Sequence, residues 1–196
     1  MSGGAGDRPR VPRASAGRGL LWLVVLAVLV VGASLFLARG GGIVEPVGRP
    51  APQFTLPDLA GTATSLSSFG PGDVALRFGS VNCTICDPDW QVLARWQALP
   101  GAPRIVAVEV GQPPDVVRVQ LHAASYPVPV LIDASGGVAA EYGVRNLPAF
   151  AFIDRYGRIV AVQSVVTRTG IWPDATWLRF VARLHRADAA GPPAGG

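Results

Sequence analysis

Lysine is absent from the 196 residues: all 17 basic side chains are arginine, a bias that reads as codon usage rather than function. Charge of either sign is scarce, at 15% of residues, against 49% hydrophobic and a mean hydropathy of +0.36. That is too apolar for a disordered chain and too weakly charged for a coiled coil. Two cysteines exclude a disulfide-rich mini-protein and an all-cysteine zinc module. A zinc half-site would need both histidines, and His122 and His185 fall in two different helical segments, so no metal is expected. No G-x-G-x-x-G follows the first strand and no G-x-S-x-G elbow is present, so neither a dinucleotide cofactor nor serine hydrolysis is indicated. The net charge of +4 does not point to nucleic acid either. Residues 1–18 hold Arg8, Arg10, Arg13 and Arg18 against Asp7, which leaves the rest of the chain nearly neutral.

What is present begins with a run free of charge from Leu20 to Ala38, whose one strongly polar side chain is Ser34. As a helix it measures roughly 28 Å, close to the hydrocarbon thickness of a bilayer. It is longer than the core of a signal peptide, so an uncleaved membrane helix over 20–38 is expected in preference to a cleaved signal. Four arginines precede the span, and only Arg39 and Arg49 follow shortly after it. The positive-inside rule then leaves a basic tail, 1–19, in the cytoplasm and the rest outside. The expected localisation is the inner cell membrane, single-pass, with the domain extracytoplasmic. No cysteine follows the span closely, so a lipoprotein anchor is not indicated. Residues 39–48 read as a flexible linker and 187–196, rich in Pro, Gly and Ala, as a disordered tail. That leaves 49–186 for one folded domain, with no internal repeat.

Within it short apolar runs alternate with helical patterns. Strands are expected at Val74–Gly79, Arg104–Val110 and Val128–Asp133, and a hairpin at Phe150–Asp154 and Arg158–Ser164 around Arg155-Tyr156-Gly157. Helices are expected at about Asp87–Leu99, Asp115–Ala124, Val138–Tyr142 and Asp174–His185. Strands separated by helices imply an α/β fold, with parallel crossovers first and an antiparallel hairpin last. That mixed central sheet flanked by helices fits a thioredoxin-like sandwich better than a doubly wound sheet.

The unusual chemistry lies in Cys83-Thr84-Ile85-Cys86, where the first of these strands hands over to a helix. Cysteines three apart in such a turn can bring their sulfurs within bonding distance. Helix N-terminal N–H groups stabilise a thiolate, which attacks a partner disulfide while the second cysteine resolves the mixed disulfide. A purely structural bridge is the alternative, but closing a loop of so few residues stabilises little. Asp87-Pro88 also reads as an N-cap followed by the first helical residue, which would leave both cysteines in the loop ahead of the helix. Asp87 and Asp89 would then oppose a thiolate.

Flanking motifs carry a resemblance. Gly48-Arg49-Pro50-Ala51-Pro52-Gln53-Phe54-Thr55-Leu56-Pro57-Asp58, then Gly61 and Ser65–Phe69, are similar to the opening of the membrane-anchored thioredoxin-like proteins of the redoxin group, the TlpA- and ResA-type thiol–disulfide oxidoreductases. Pro129–Asp133, Ala140–Val144, Leu147–Asp154 and Gly157–Ile159 resemble their second half, so the match spans about 49–165. The resemblance implies Cys83 and Cys86 as the catalytic pair. It implies a cis-proline at Pro148, with the backbone of Leu147 pairing with substrate, where the plain reading is a trans proline at a strand start. Protein thiols and disulfides are the implied partners, with a membrane thiol-reductant as electron donor. A weaker resemblance, confined to small motifs, is to the thioredoxin-like proteins of methylamine dehydrogenase maturation.

Departures from the pattern are specific. Asn82 stands where the family has tryptophan, and Thr84–Ile85 replace a pair containing proline. Arg77 stands six residues before the first cysteine, where thioredoxins carry a buried acid. Arg77 either reaches the site, favouring a thiolate at Cys83, or turns its head to solvent. A peroxiredoxin-like peroxidase is one rival, but the positions of its threonine and proline hold Gly79 and Ser80. A copper or assembly chaperone is another, but no histidine stands near the cysteines. His122 reads as a helix-surface residue, His185 as a favourable charge near a helix C-terminus, and Trp90 and Trp96 as core or groove-lining.

Overall fold

A computed structural model describes residues 25–27, 48–83, 90–121, 126–164 and 172–192. The chain divides into two units, Met1–Val44 and Glu45–Gly196. In the first, residues 25–27 are helical, and Val25 and Leu26 are exposed. The rest of the expected span lies outside the described residues, among which no helix is long and apolar enough to cross a membrane.

The second unit carries the expected α/β architecture. A small hairpin, β1 (Thr55–Pro57) and β2 (Ala63–Ser65), precedes a five-stranded sheet in the order β5-β4-β3-β6-β7. Its strands are β3 (Val74–Gly79), β4 (Arg104–Val110), β5 (Val130–Asp133), β6 (Ala149–Ile153) and β7 (Ile159–Ser164). β3, β4 and β5 run parallel, whereas β6 pairs antiparallel with β3 and β7 antiparallel with β6. The helices are α1 (Trp90–Gln97), α2 (Pro114–Leu121), α3 (Gly137–Glu141) and α4 (Asp174–Ala190). β3 and β4 begin and end where the apolar runs do, because central parallel strands are covered on both faces and read as continuous hydrophobic stretches.

Two cores follow from the period of two in the strands. On one face Ala75, Ile105, Ala107, Phe150 and Phe152 pack against Val92, Leu93 and Trp96 of α1 and Trp177, Val181 and Leu184 of α4. Trp96 stacks on Trp177 with ring centroids 4.6 Å apart and planes 4° from parallel, and its indole N–H donates to Asp174 at 2.8 Å. On the other face Leu76, Phe78, Val106, Val108 and Ala151 meet Phe54, Leu56, Ala139 and Tyr142. Arg77, Gly79 and Glu109 continue the first face toward the C-terminal edge of β3 and β4.

The C-terminal boundary differs from expectation. α4 runs on to Ala190, so the segment expected as a disordered tail from 187 begins as helix. The reason is Asp188: it is buried, and its carboxylate takes Arg155 at 2.9 Å and the Arg155 backbone N–H at 3.4 Å. Gly191, at φ 73°, ends the helix in the left-handed region that suits glycine. His185 consequently lies inside α4 rather than near its end, and its Nε2 pairs with the Gly101 carbonyl at 2.9 Å.

Asp73, just ahead of β3, is pushed up to about 6 by burial and by the neighbouring Asp188 carboxylate, with Arg155 and His185 pulling the other way. A carboxyl raised above its usual 3.8 stabilises the fold fully below pH 3.8 and loses that contribution as pH rises through about 6. The whole shift corresponds to about 3 kcal/mol, which solvent screening on this half-exposed group reduces to about 1 kcal/mol. Asp73→Asn should therefore gain about 1 kcal/mol on wild type between pH 4 and pH 8. Urea midpoints at the two pH values check it, and an unchanged difference would refute it.

Candidate active site

The cysteine loop leaves the sheet at Gly79, the last residue of β3. Its backbone turns at once, with the Cys83 N–H donating to the Ser80 carbonyl at 3.0 Å. Cys83 is half-buried and disulfide-bonded. Residues 84–89, with Cys86, Asp87 and Asp89, lie outside the described residues, as does His122.

Asn82 takes a defined role in place of an aromatic ring. Its amide N–H donates to Gln112 Oε1 at 2.8 Å, and its carbonyl accepts from Gln120 Nε2 at 3.2 Å. The residue before Cys83 is thus tied to the β4–α2 connection and to α2 itself.

The second strand of the site is β6. Phe78 pairs with Ala149, so the residue next in register to Gly79 is Pro148. The Leu147–Pro148 peptide bond is cis, which resolves the choice left open by the sequence. Pro148 is buried and Leu147 half-buried, and the Pro148 carbonyl accepts from Ser164 Oγ at 3.3 Å. Leu147–Pro148 and the start of the cysteine loop therefore share one edge of the sheet.

Beneath that edge lies a buried ion pair. Arg77 does not turn to solvent: it is 3% exposed, and its Nη1 donates to Glu109 Oε1 at 2.9 Å. Two local facts make room for it. Gly79, two residues on along the same face, has no Cβ; one built there would lie 2.3 Å from Arg77 Nη1. Gly79 and Glu109 are also partners across β3 and β4, which sets the carboxylate opposite the guanidinium. Trp90 of α1 covers the pair, with Arg77 Cζ 5.8 Å from its ring centroid, and Tyr126 meets Trp90 edge-on at 4.5 Å. Trp90 is thus the lining residue and Trp96 the core residue of the two.

Burial pushes Glu109 above the usual carboxylate range, while Arg77 and the backbone N–H of Val81 pull it down. Its Oε2 is buried with no hydrogen-bond partner among the described residues. Tyr126 is raised by its own burial and by the charge of Glu109. Glu109 was not singled out from the sequence. The available signal was a lone acid in the otherwise apolar run Ile105–Val110, which a strand covered on both faces cannot place in water.

Comparison with known proteins agrees with this geometry. The model of the AhpC/TSA family matches residues 47–162. The thiol-disulfide oxidoreductase ResA of Geobacillus thermodenitrificans is 30% identical over 125 residues, covering 63% of this chain and 70% of the relative. ResA of Bacillus thuringiensis is 25% identical over 147 residues, covering 72% and 85%. Among solved structures, a putative thiol:disulfide interchange protein DsbE from Chlorobium tepidum superposes with a TM-score of 0.57 at 26% identity, covering 70% of this chain and 97% of that one. The chain belongs to the AhpC/TSA family and, within it, to the thioredoxin-like thiol–disulfide oxidoreductases of the ResA type.

Proposed function

We propose that the protein is a membrane-anchored, extracytoplasmic thiol–disulfide oxidoreductase that exchanges disulfides with partner proteins through Cys83 and Cys86. The observation that carries this reading is the disulfide at Cys83, set in a turn at the edge of the sheet next to Leu147–Pro148. The sequence offers Cys86 as the one other cysteine. Anchoring is supported by the uncharged run Leu20–Ala38 and by the arginines ahead of it.

In the reducing direction Cys83, as thiolate, attacks a partner disulfide. One partner sulfur leaves as a thiolate and takes up a proton, and the other is held in a mixed disulfide with Cys83. Cys86 then loses its proton and attacks Cys83. The partner's second sulfur is released, two electrons have passed to the partner, and the Cys83–Cys86 bond is restored. Oxidation of a partner dithiol is the reverse. The backbone of Leu147, ahead of the cis-proline, would pair with the partner's extended chain. A thiol-reductant in the same membrane would resupply electrons, and a tether raises the effective concentration of both partners.

The test is a trap. Cys86→Ser retains the attacking sulfur and cannot resolve, so mixed disulfides with membrane or periplasmic proteins should accumulate and disappear under dithiothreitol. Cys83→Ser should accumulate none. Recovery of no mixed disulfide from Cys86→Ser, with the protein folded and in the membrane fraction, refutes the exchange reading. Recovery of the wild-type chain without its first 38 residues refutes the anchor alone.

A further inference from the structure

β6 starts at the cysteine edge, with Pro148 just ahead of it, and ends at Ile153, beside Ile159 of β7. At that far end, between β7 and the last turns of α4, lies a cavity of about 400 Å³ that thiol exchange does not use. Three arginines line it, Arg158, Arg183 and Arg186, against one acid, Asp154. The charge of Asp154 is already met. Its carboxylate, 1% exposed, accepts from Arg158 Nε at 2.9 Å and from the backbone N–H groups of Tyr156 and Arg158 at 3.0 and 2.8 Å. Arg158 is fixed in turn, its Nη2 donating to the Gly191 carbonyl at 3.1 Å. Arg183 and Arg186 are exposed, and their side chains make no hydrogen bond or ion pair among the described residues. With Arg179 they stand at i, i+4 and i+7 on the side of α4 turned away from Trp177, Val181 and Leu184. The acids of that helix, Asp174 and Asp188, are paired with Arg95 and Arg155.

Between the guanidinium groups the lining is apolar, from Val160, Ala187 and Ala190. Unpaired positive charge over an apolar floor fits an anion that carries hydrocarbon better than a small hydrated ion. Chain connectivity narrows the choice. Gly48 lines the same cavity, its N–H donates to the Ile159 carbonyl at 2.7 Å, and it comes ten residues after Ala38. Ten extended residues span at most about 35 Å, so a tether ending at Gly48 keeps the cavity within that reach of the bilayer.

We propose that this cavity binds the phosphate of an anionic phospholipid in the outer leaflet of the membrane that anchors the protein. This rests on the reading of Leu20–Ala38 as a membrane helix. Arg183 and Arg186 supply unengaged guanidinium forks, which match phosphate oxygens two at a time, and Arg158 adds a charge held in place by Asp154. Val160, Ala187 and Ala190 take the glycerol and the first acyl carbons. Cavity and cysteine edge lie at opposite ends of β6, so a lipid held at one leaves the other open to partner proteins.

The experiment is amide hydrogen exchange of the full-length protein in nanodiscs of phosphatidylcholine alone or of phosphatidylcholine with phosphatidylglycerol, followed over Arg183–Gly191. Exchange there should slow about tenfold in the anionic discs, the factor expected once the local lipid reaches about ten times its dissociation constant. Arg183→Gln combined with Arg186→Gln should abolish the difference. Both side chains are exposed, so this variant should fold and, once reduced, keep the wild-type rate of Cys83 alkylation. Inorganic phosphate added to the neutral discs should not reproduce the protection. Equal exchange in the two discs overturns the proposal. So does a difference that survives the double variant, which would trace the effect to the arginines of residues 1–18, or protection by inorganic phosphate alone, which would make the cavity a site for a soluble anion. A chain that enters neither disc overturns the anchor, and this proposal with it.

Discussion

Arg77→Met is expected to destabilise the domain by about 3–5 kcal/mol at pH 8, the cost of leaving a buried carboxylate without its cation. Methionine retains much of the aliphatic stem, so the loss is electrostatic rather than a cavity. Glu109 escapes by protonation, and that gives the effect a pH dependence of known sign. Burial holds the folded-state carboxyl above its usual 4.5, and removing Arg77 takes away the largest opposing influence. A group raised in the folded state contributes stability below its unfolded value and loses it as pH rises. The deficit of Arg77→Met should therefore be small at pH 5, grow by at most about 1.4 kcal/mol per pH unit, and reach its full size near pH 8. Guanidinium denaturation of wild type and variant at both pH values measures it. Equal deficits at pH 5 and pH 8 would mean that Glu109 is not the group left stranded.

The second large effect is expected at Gly79. Its backbone is extended and accepts any residue, but an alanine Cβ would sit 2.3 Å from Arg77 Nη1 and 2.5 Å from Cζ. The guanidinium is 3% exposed and cannot swing away without giving up Glu109. Gly79→Ala should therefore combine overpacking with the loss of a buried pair, about 3 kcal/mol or more. In an Arg77→Met background the obstructing group is gone, and the added methyl should cost less than 1 kcal/mol. The double-mutant cycle should accordingly show a coupling of about 2 kcal/mol or more. Additive losses would place the guanidinium elsewhere. The two variants together test whether the ion pair, rather than the glycine backbone, sets the residue at the end of β3.

Local chemistry made much of the fold legible. β3 and β4 were readable to the residue because a parallel strand in the centre of a sheet is apolar on both faces, and the turn at Arg155-Tyr156-Gly157 marked the hairpin. The end of α4 was misplaced because composition turns to Ala, Gly and Pro at 187, whereas the helix is held to Ala190 by Asp188 and Arg155, residues 33 apart in sequence. At the site, the cysteine spacing and Leu147-Pro148 stood out from their neighbours, and Asn82 could be recognised as a departure without its partners being visible. Those partners, Gln112 and Gln120, lie 30 and 38 residues away and acquire meaning only once α2 packs beside the loop.

By itself, then, the order of residues determined the alternation of strands and helices, the position of the two cysteines at a strand end, and the proline that follows Leu147, because each depends on neighbours within a turn or two. Tertiary structure alone decided the fate of Arg77. Whether a long cationic side chain is solvated or buried depends on what faces it, and here that is a carboxylate 32 residues away on the next strand, an indole from α1, and the space left by a glycine without a Cβ. A charge enters a protein interior only when its partner arrives with it, and that partner is set by strand register, which no local pattern around Arg77 records.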